Sequence, residues 1–116
     1  TVWNRLLETL KTLNVPLFAT VDHAANARAA GLFMPETRVA FFGKPAVGTH
    51  LMLERPEVAL ELPLRIVISE VPGEGTMLFM PDILWLAHRY GIDPQLDSLR
   101  KTLGFMALVS DKVCGD

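Results

Sequence analysis

Apolar side chains along this chain repeat at two different periods, and the switches between them mark its elements. Trp3, Leu6, Leu7, Leu10 and Leu13 recur at helical spacing, with Arg5, Glu8 and Lys11 on the other side. This predicts an amphipathic helix capped by Thr1 and stopped at Asn14. Pro16 then opens an extended run from Leu17 to Val21. Asp22 is a good N-cap for an alanine-rich helix beginning at His23, and Gly31 ends it where left-handed backbone meets no steric penalty. Arg38 to Phe42 is short and nearly all apolar, as expected of a strand near the middle of a sheet. Gly43-Lys44-Pro45 turns the chain into a short helix towards Met52, with Pro45 in its first turn.

Pro56 marks a further break and a helical turn through Leu60. Beyond it the period changes to two. Leu62, Leu64, Ile66 and Ile68 alternate with Pro63, Arg65, Val67 and Ser69, which predicts a strand with one strongly apolar face. Pro72-Gly73-Glu74-Gly75 is a turn and Thr76 to Met80 the returning strand of a β-hairpin. Pro81-Asp82 caps a helix through Tyr90, stopped by Gly91. Asp93-Pro94 starts a last helix, about residues 94–110, with Leu96, Leu99, Leu103 and Met106 as its buried stripe. The pattern predicts an α+β fold, a mostly antiparallel sheet with helices packed on one face. Val39, Ala40, Phe41, Phe42 and Val67 supply apolar groups to both sheet faces, so a homodimer is expected to bury the excess.

Length and charge narrow the function classes. A chain of 116 residues, half of them apolar, suits a single domain over 1–116 with one core. Eleven Lys and Arg against thirteen Asp and Glu leave no basic stripe, so no nucleic-acid partner is expected. No polybasic anchor occurs, and no apolar run approaches the ~18–20 residues of a membrane-spanning helix, so no membrane association is expected either. The expectation is a soluble chain, cytoplasmic or periplasmic. Thr1 is not a natural initiator, so the N-terminus does not decide between them. Cys114 is the sole cysteine, which excludes an internal disulfide; it is expected to be exposed and incidental in a C-terminal tail, with an intermolecular bridge left open.

Three segments, DHAANARAAGL, MPETRVAFFGKPAVGT and LPLRIVISE, together resemble the bacterial and archaeal domain-of-unknown-function 302 family over about residues 1–92. The shared features are an Asp before an alanine-rich helix, a Phe-Gly-x-Pro turn, a Gly-Thr pair and a Leu-Pro segment before a long strand. The resemblance implies a β-α-β(4)-α arrangement related to the TATA-binding-protein-like fold. It departs from the family pattern at Lys44, where Asn is common, at Glu61, where Asp is common, and at Met80-Pro81-Asp82, where many members read Asn-Asp-Pro. Family members also usually begin with a strand before the first helix, whereas this chain begins at the helix cap. The resemblance also brings a noncovalent haem alternative, for which His23, His50 and His88 would be ligands, with Met34, Met52, Met77, Met80 and Met106 as further axial candidates.

Candidate chemistry concentrates at two junctions. In Asp22-His23 the carboxylate can orient the imidazole as a general base, or simply cap the helix. Gly43 and Gly48 have the spacing of a Walker A loop, but Thr49 and His50 stand where Lys and Ser/Thr are required, which excludes an ordinary nucleoside-triphosphate loop. The N–H groups of that turn, with Lys44 beside them, could still receive a carboxylate or phosphate; the alternative is a strand-to-helix turn that needs glycine for its backbone. Glu61 is a second general-base candidate. It shares strand parity with Arg65, about 13 Å away at the usual rise. No Ser-His-Asp, Cys-His or zinc-ligand motif occurs, and no catalytic motif is identified. The leading expectation is a domain binding a small anionic or amphipathic ligand between the Asp22-His23 junction and the Gly43–Thr49 turn, with contacts from Asp22, His23, Gly43, Lys44, Gly48 and Thr49. An enzyme using His23 or Glu61 is the alternative from another class.

Overall fold

The computed structural model describes residues 1–115; residue 116, counted in the expected domain, lies outside the described residues. Helix α1 (Val2–Thr12) is followed by β1 (Leu17–Asp22), α2 (His23–Ala29), β2 (Thr37–Phe42) and α3 (Pro45–Glu54). A 3-10 turn (Pro56–Glu61) then leads into β3 (Leu64–Val71), β4 (Gly75–Phe79), α4 (Ile83–Tyr90) and α5 (Asp97–Cys114). The four strands pair antiparallel in the order β1-β2-β3-β4, which puts the apolar β2 inside the sheet. This is the expected α+β architecture.

Local signals end the elements where the chain's chemistry requires. Thr1 accepts from the Asn4 N–H at 3.1 Å and starts α1, and Asn14, at φ 57°, turns the chain out of it. The Asp22 carboxylate accepts from the Ala25 N–H at 2.9 Å and caps α2. Asp82 accepts from both Leu84 and Trp85 N–H groups to cap α4, and Gly91, at φ 67°, supplies the left-handed stop.

The core lies between one face of the sheet and a layer of helices. Ala40 and Phe42 of β2 and Leu64, Ile66 and Ile68 of β3 meet Leu6 and Leu10 of α1 and Leu51 of α3. Leu86 of α4 and Leu99, Met106 and Val109 of α5 complete it. Ala24 and Val39 are buried outside this cluster, which seats the short α2 against β2, apart from the main helical layer.

The bounds of two expected elements move, with a physical reason at the start of each. The long strand begins at Leu64, not Leu62, because Pro63 has no N–H to donate to a ladder. Glu61 therefore closes the 3-10 turn, and the expected shared strand parity with Arg65 does not hold. The last helix begins at Asp97, because the Asp93 side chain and carbonyl hold Gln95 and Leu96 in a separate turn. It also runs on to Cys114, so the exposed cysteine ends a helix and does not lie in a tail. The buried stripe of α5 is correspondingly Leu99, Thr102, Met106, Val109 and Val113, with Leu103 only half-buried.

Candidate functional site

A cavity of about 300 Å³ opens beneath the turn from β2 into α3. Its walls are the Gly43–Thr49 segment, Met52 from the same helix, Leu62-Pro63-Leu64 at the entry to β3, Phe18 of β1, and Thr102 and Phe105 of α5. Local rules explain why the chain folds this way. Pro45 sets the first turn of α3, and Val47 and Gly48 bond back to the Lys44 carbonyl, so the turn passes directly into helix. Gly43 donates to the Pro16 carbonyl at 3.2 Å and ties the turn to the start of β1. Phe105 packs edge-to-face on the buried Phe42 at 5.9 Å between ring centroids, which fixes the cavity floor to the core.

The lining is overwhelmingly apolar. Thr102 is buried, but its hydroxyl already donates to the Ser98 carbonyl at 2.8 Å, so it makes no polar demand on the space. Among the described residues the only charged side chains in the wall are Lys44 and Lys101, both exposed. Lys101 Nζ stands 3.0 Å from Asp97 one turn back on the same helix. Concave, apolar walls with a few polar groups at the mouth are the usual form of a small-molecule site.

The residues expected to share one site are divided between the two ends of the sheet. Gly43, Lys44, Gly48 and Thr49 all line the cavity. Asp22 pairs with Arg38 at the start of β2, while Gly43 follows Phe42 at its end; the two places lie about 17 Å apart at the usual strand rise. Asp22 is taken up by the α2 cap and by Arg38, whose Nε is 3.5 Å from its carboxylate. His23 is exposed at the first position of α2 and lines no part of the cavity. The strand register therefore does not bring Asp22-His23 to the Gly43–Thr49 turn.

The other candidates are placed as follows. The Glu61 carboxylate accepts from the Tyr90 hydroxyl at 2.7 Å. That hydrogen bond, with desolvation adding to it, pushes the Tyr90 hydroxyl above its ordinary value of 10.0. Glu61 thus joins the 3-10 turn to α4, outside the cavity lining. His50 on α3 and His88 in the last turn of α4 are exposed, as is His23, and the three sit on different helices. Of the methionines only Met52 reaches the cavity wall. Among the described residues there is no group of three or more His, Cys, Asp or Glu that could hold a metal ion.

Sequence reasoning missed Phe18, Leu62, Lys101, Thr102 and Phe105. Four residues of spacing put Lys101 and Phe105 on one side of α5, and Thr102 interrupts its apolar stripe. That interruption was the available signal.

Fold and site together define a small α+β domain with an antiparallel sheet, a one-sided helical layer and an apolar recess at one sheet end. The chain belongs to the DUF302 family, "Domain of unknown function DUF302", which matches residues 1–107. It is similar to a solved structure, an uncharacterized conserved DUF302 protein from Bacillus stearothermophilus. The TM-score is 0.83 at 20% identity, over 97% of this chain and 88% of that one, a likeness that shows the fold alone. Curated relatives include "Fluoride-specific ion channel FluC 1" of Brucella suis and the protein of the same name in Brucella abortus, each 33% identical over 99 residues. The match takes in 85% of this chain but spans only 39% and 37% of those relatives' lengths.

Proposed function

We propose that this chain is a binding domain for a small, largely apolar ligand, and that the cavity under the Gly43–Thr49 turn is its site. The observation that carries this reading is the cavity itself: about 300 Å³ of apolar-walled space at one sheet end. Filling such a space with protein side chains would be favourable by about 25 cal/mol for each Å² of apolar surface covered. A chain that leaves it open, with Gly48 in its wall, keeps room for something else. Among the described residues no nucleophile with an adjacent base lines it, which favours binding over catalysis.

Fluoride conduction is not carried over from the Brucella relatives. This chain spans under two fifths of their length, and among its described residues no helix is long and apolar enough to cross a membrane.

A homodimer belongs to the same proposal. On the sheet face opposite the main helical layer, which α2 covers only in part, Phe41, Val67 and Met77 are half-buried and Phe79 is 49% exposed, with Arg65 lying over the Phe41 ring. A second copy over that face would cover them. Sedimentation velocity checks it: Phe79→Lys should convert a dimer to monomer, and a wild-type monomer at high concentration removes the dimer.

Native mass spectrometry of freshly purified protein, with thermal melts against a panel of amphipathic small molecules, tests the site. Mass or stabilisation found in the wild type should disappear in Gly48→Leu, whose side chain enters the cavity. A panel that neither co-purifies with nor stabilises the wild type ends the reading.

A further inference from the structure

The two sides of Lys101 differ in charge, and this specifies the ligand. On one side is the apolar cavity, whose charged residues are Lys44 and Lys101, with no carboxylate in the wall among the described residues. On the other is a second hollow between α3 and the start of α5, sharing Val47 and Lys101 with the first, but containing Glu54 and Asp97 beside His50. Among the described residues, acids thus line the second hollow and not the first. Lys44 has no ion-pair partner among the described residues, and Lys101 has only Asp97.

The Lys101–Asp97 pair is poor competition for a ligand. Its side chains are 63% and 81% exposed, and an exposed pair one helical turn apart contributes little. Lysine's flexible four-carbon stem lets the ammonium swing between the two sides.

Resting on the cavity as the binding site, we propose that the ligand is an amphipathic monoanion. Its apolar body, with the bulk of about ten water molecules at about 30 Å³ each, fills the cavity. Its carboxylate or similar head sits at the mouth between Lys44 and Lys101. Asp97 acts as an internal competitor that holds Lys101 while the site is empty and lowers affinity for the anion. The acidic hollow beyond repels the head group and sets the ligand's direction, tail under the Gly43–Thr49 turn and head outward.

The test is calorimetric titration with three ten-carbon probes, decanoate, 1-decanol and decylamine, against the wild type, Lys101→Met, Lys44→Met and Asp97→Asn. Decanoate should bind about tenfold tighter than 1-decanol, with decylamine weakest, as expected for a charged hydrogen bond in a partly screened site. Lys101→Met should lower decanoate affinity about fivefold and leave 1-decanol unchanged, while Asp97→Asn should raise decanoate affinity about twofold. Decanoate affinity alone should fall with added salt. Equal binding of decanoate and 1-decanol, or indifference to both lysine substitutions, overturns the head-group assignment while leaving an apolar site. Failure of all three probes to bind wild type overturns both. All three substituted positions are exposed side chains, and far-ultraviolet circular dichroism of each variant verifies that the comparison is between folded proteins.

Discussion

Gly48 sits where helix stability and cavity space are set by the same missing methyl group, so Gly48→Ala separates the proposal from its alternatives. Gly48 is the fourth residue of α3, and its backbone is not in the left-handed region. A Cβ there would lie 3.7 Å from Leu62 Cδ1, an ordinary contact, so no neighbour has to move. Glycine inside a helix costs about 0.5–1 kcal/mol relative to alanine, and the substitution should stabilise the empty protein by that amount. For a domain of this size the midpoint Tm should rise by about 2–4 °C. The same methyl takes space from a cavity of about 300 Å³. One methylene in a hydrophobic pocket is worth about 1–3 kcal/mol of discrimination. The best-binding member of a straight-chain carboxylate series from hexanoate to dodecanoate should therefore become shorter, with the longest members losing about tenfold or more. Gly104→Ala is the control: Gly104 is exposed within α5 with nothing within 4 Å of its added Cβ, so it should give a similar Tm gain with an unchanged ligand profile. Melts without ligand and calorimetric titrations with it supply both readings. A lowered Tm in Gly48→Ala refutes the α3 geometry. An unchanged length preference in a stabilised variant refutes the cavity as the site.

Other positions test the fold around this site. Asp82→Ala removes the acceptor for two α4 N–H groups and should cost about 1 kcal/mol in urea unfolding, with Asp82→Asn recovering most of it. Ser98 is 5% exposed and its hydroxyl is buried without a partner, so Ser98→Ala should raise stability by about 1 kcal/mol; a loss would show a partner for that hydroxyl. Tyr90 has a folded-state pKa above its unfolded value near 10.0, so its bond to Glu61 stabilises fully below that value and is lost as pH rises through the folded pKa. Stability should fall at alkaline pH above about 10, and Tyr90→Phe should flatten that part of the profile.

The elements were legible wherever one residue decides a local energy. Asp22, Asp82, Gly91 and Asn14 act within a few residues of themselves, and each caps or stops the helix its position indicates. The alternation in Leu64, Ile66 and Ile68 likewise needs only the pleat of one strand to select the buried face. Errors arose where a neighbour in sequence changes the outcome without changing the pattern. Leu62 continues the apolar alternation, yet Pro63 after it cannot donate to the sheet, so the ladder begins later.

Assembly of the site depended on information of a different kind. Asp22-His23 and Gly43–Thr49 both read as strand-to-helix junctions rich in polar and turn residues, and nothing local says whether two such junctions meet. Antiparallel pairing settles it: β1 ends where β2 begins, so junctions that follow β1 and β2 must lie at opposite ends of the sheet. The Gly43 junction instead meets what packs across the core, which is α5, more than fifty residues further along. On α5 the choice between Leu103 and Thr102 as the inward residue reverses under hydropathy alone. Thr102 can face the interior because its hydroxyl bonds the carbonyl one turn back, leaving only its methyl to the cavity. Lys101 beside it is then carried to the cavity mouth by helical geometry, whatever its own preference for water. A positive group reaches an apolar recess here through a hydrogen bond made by its neighbour.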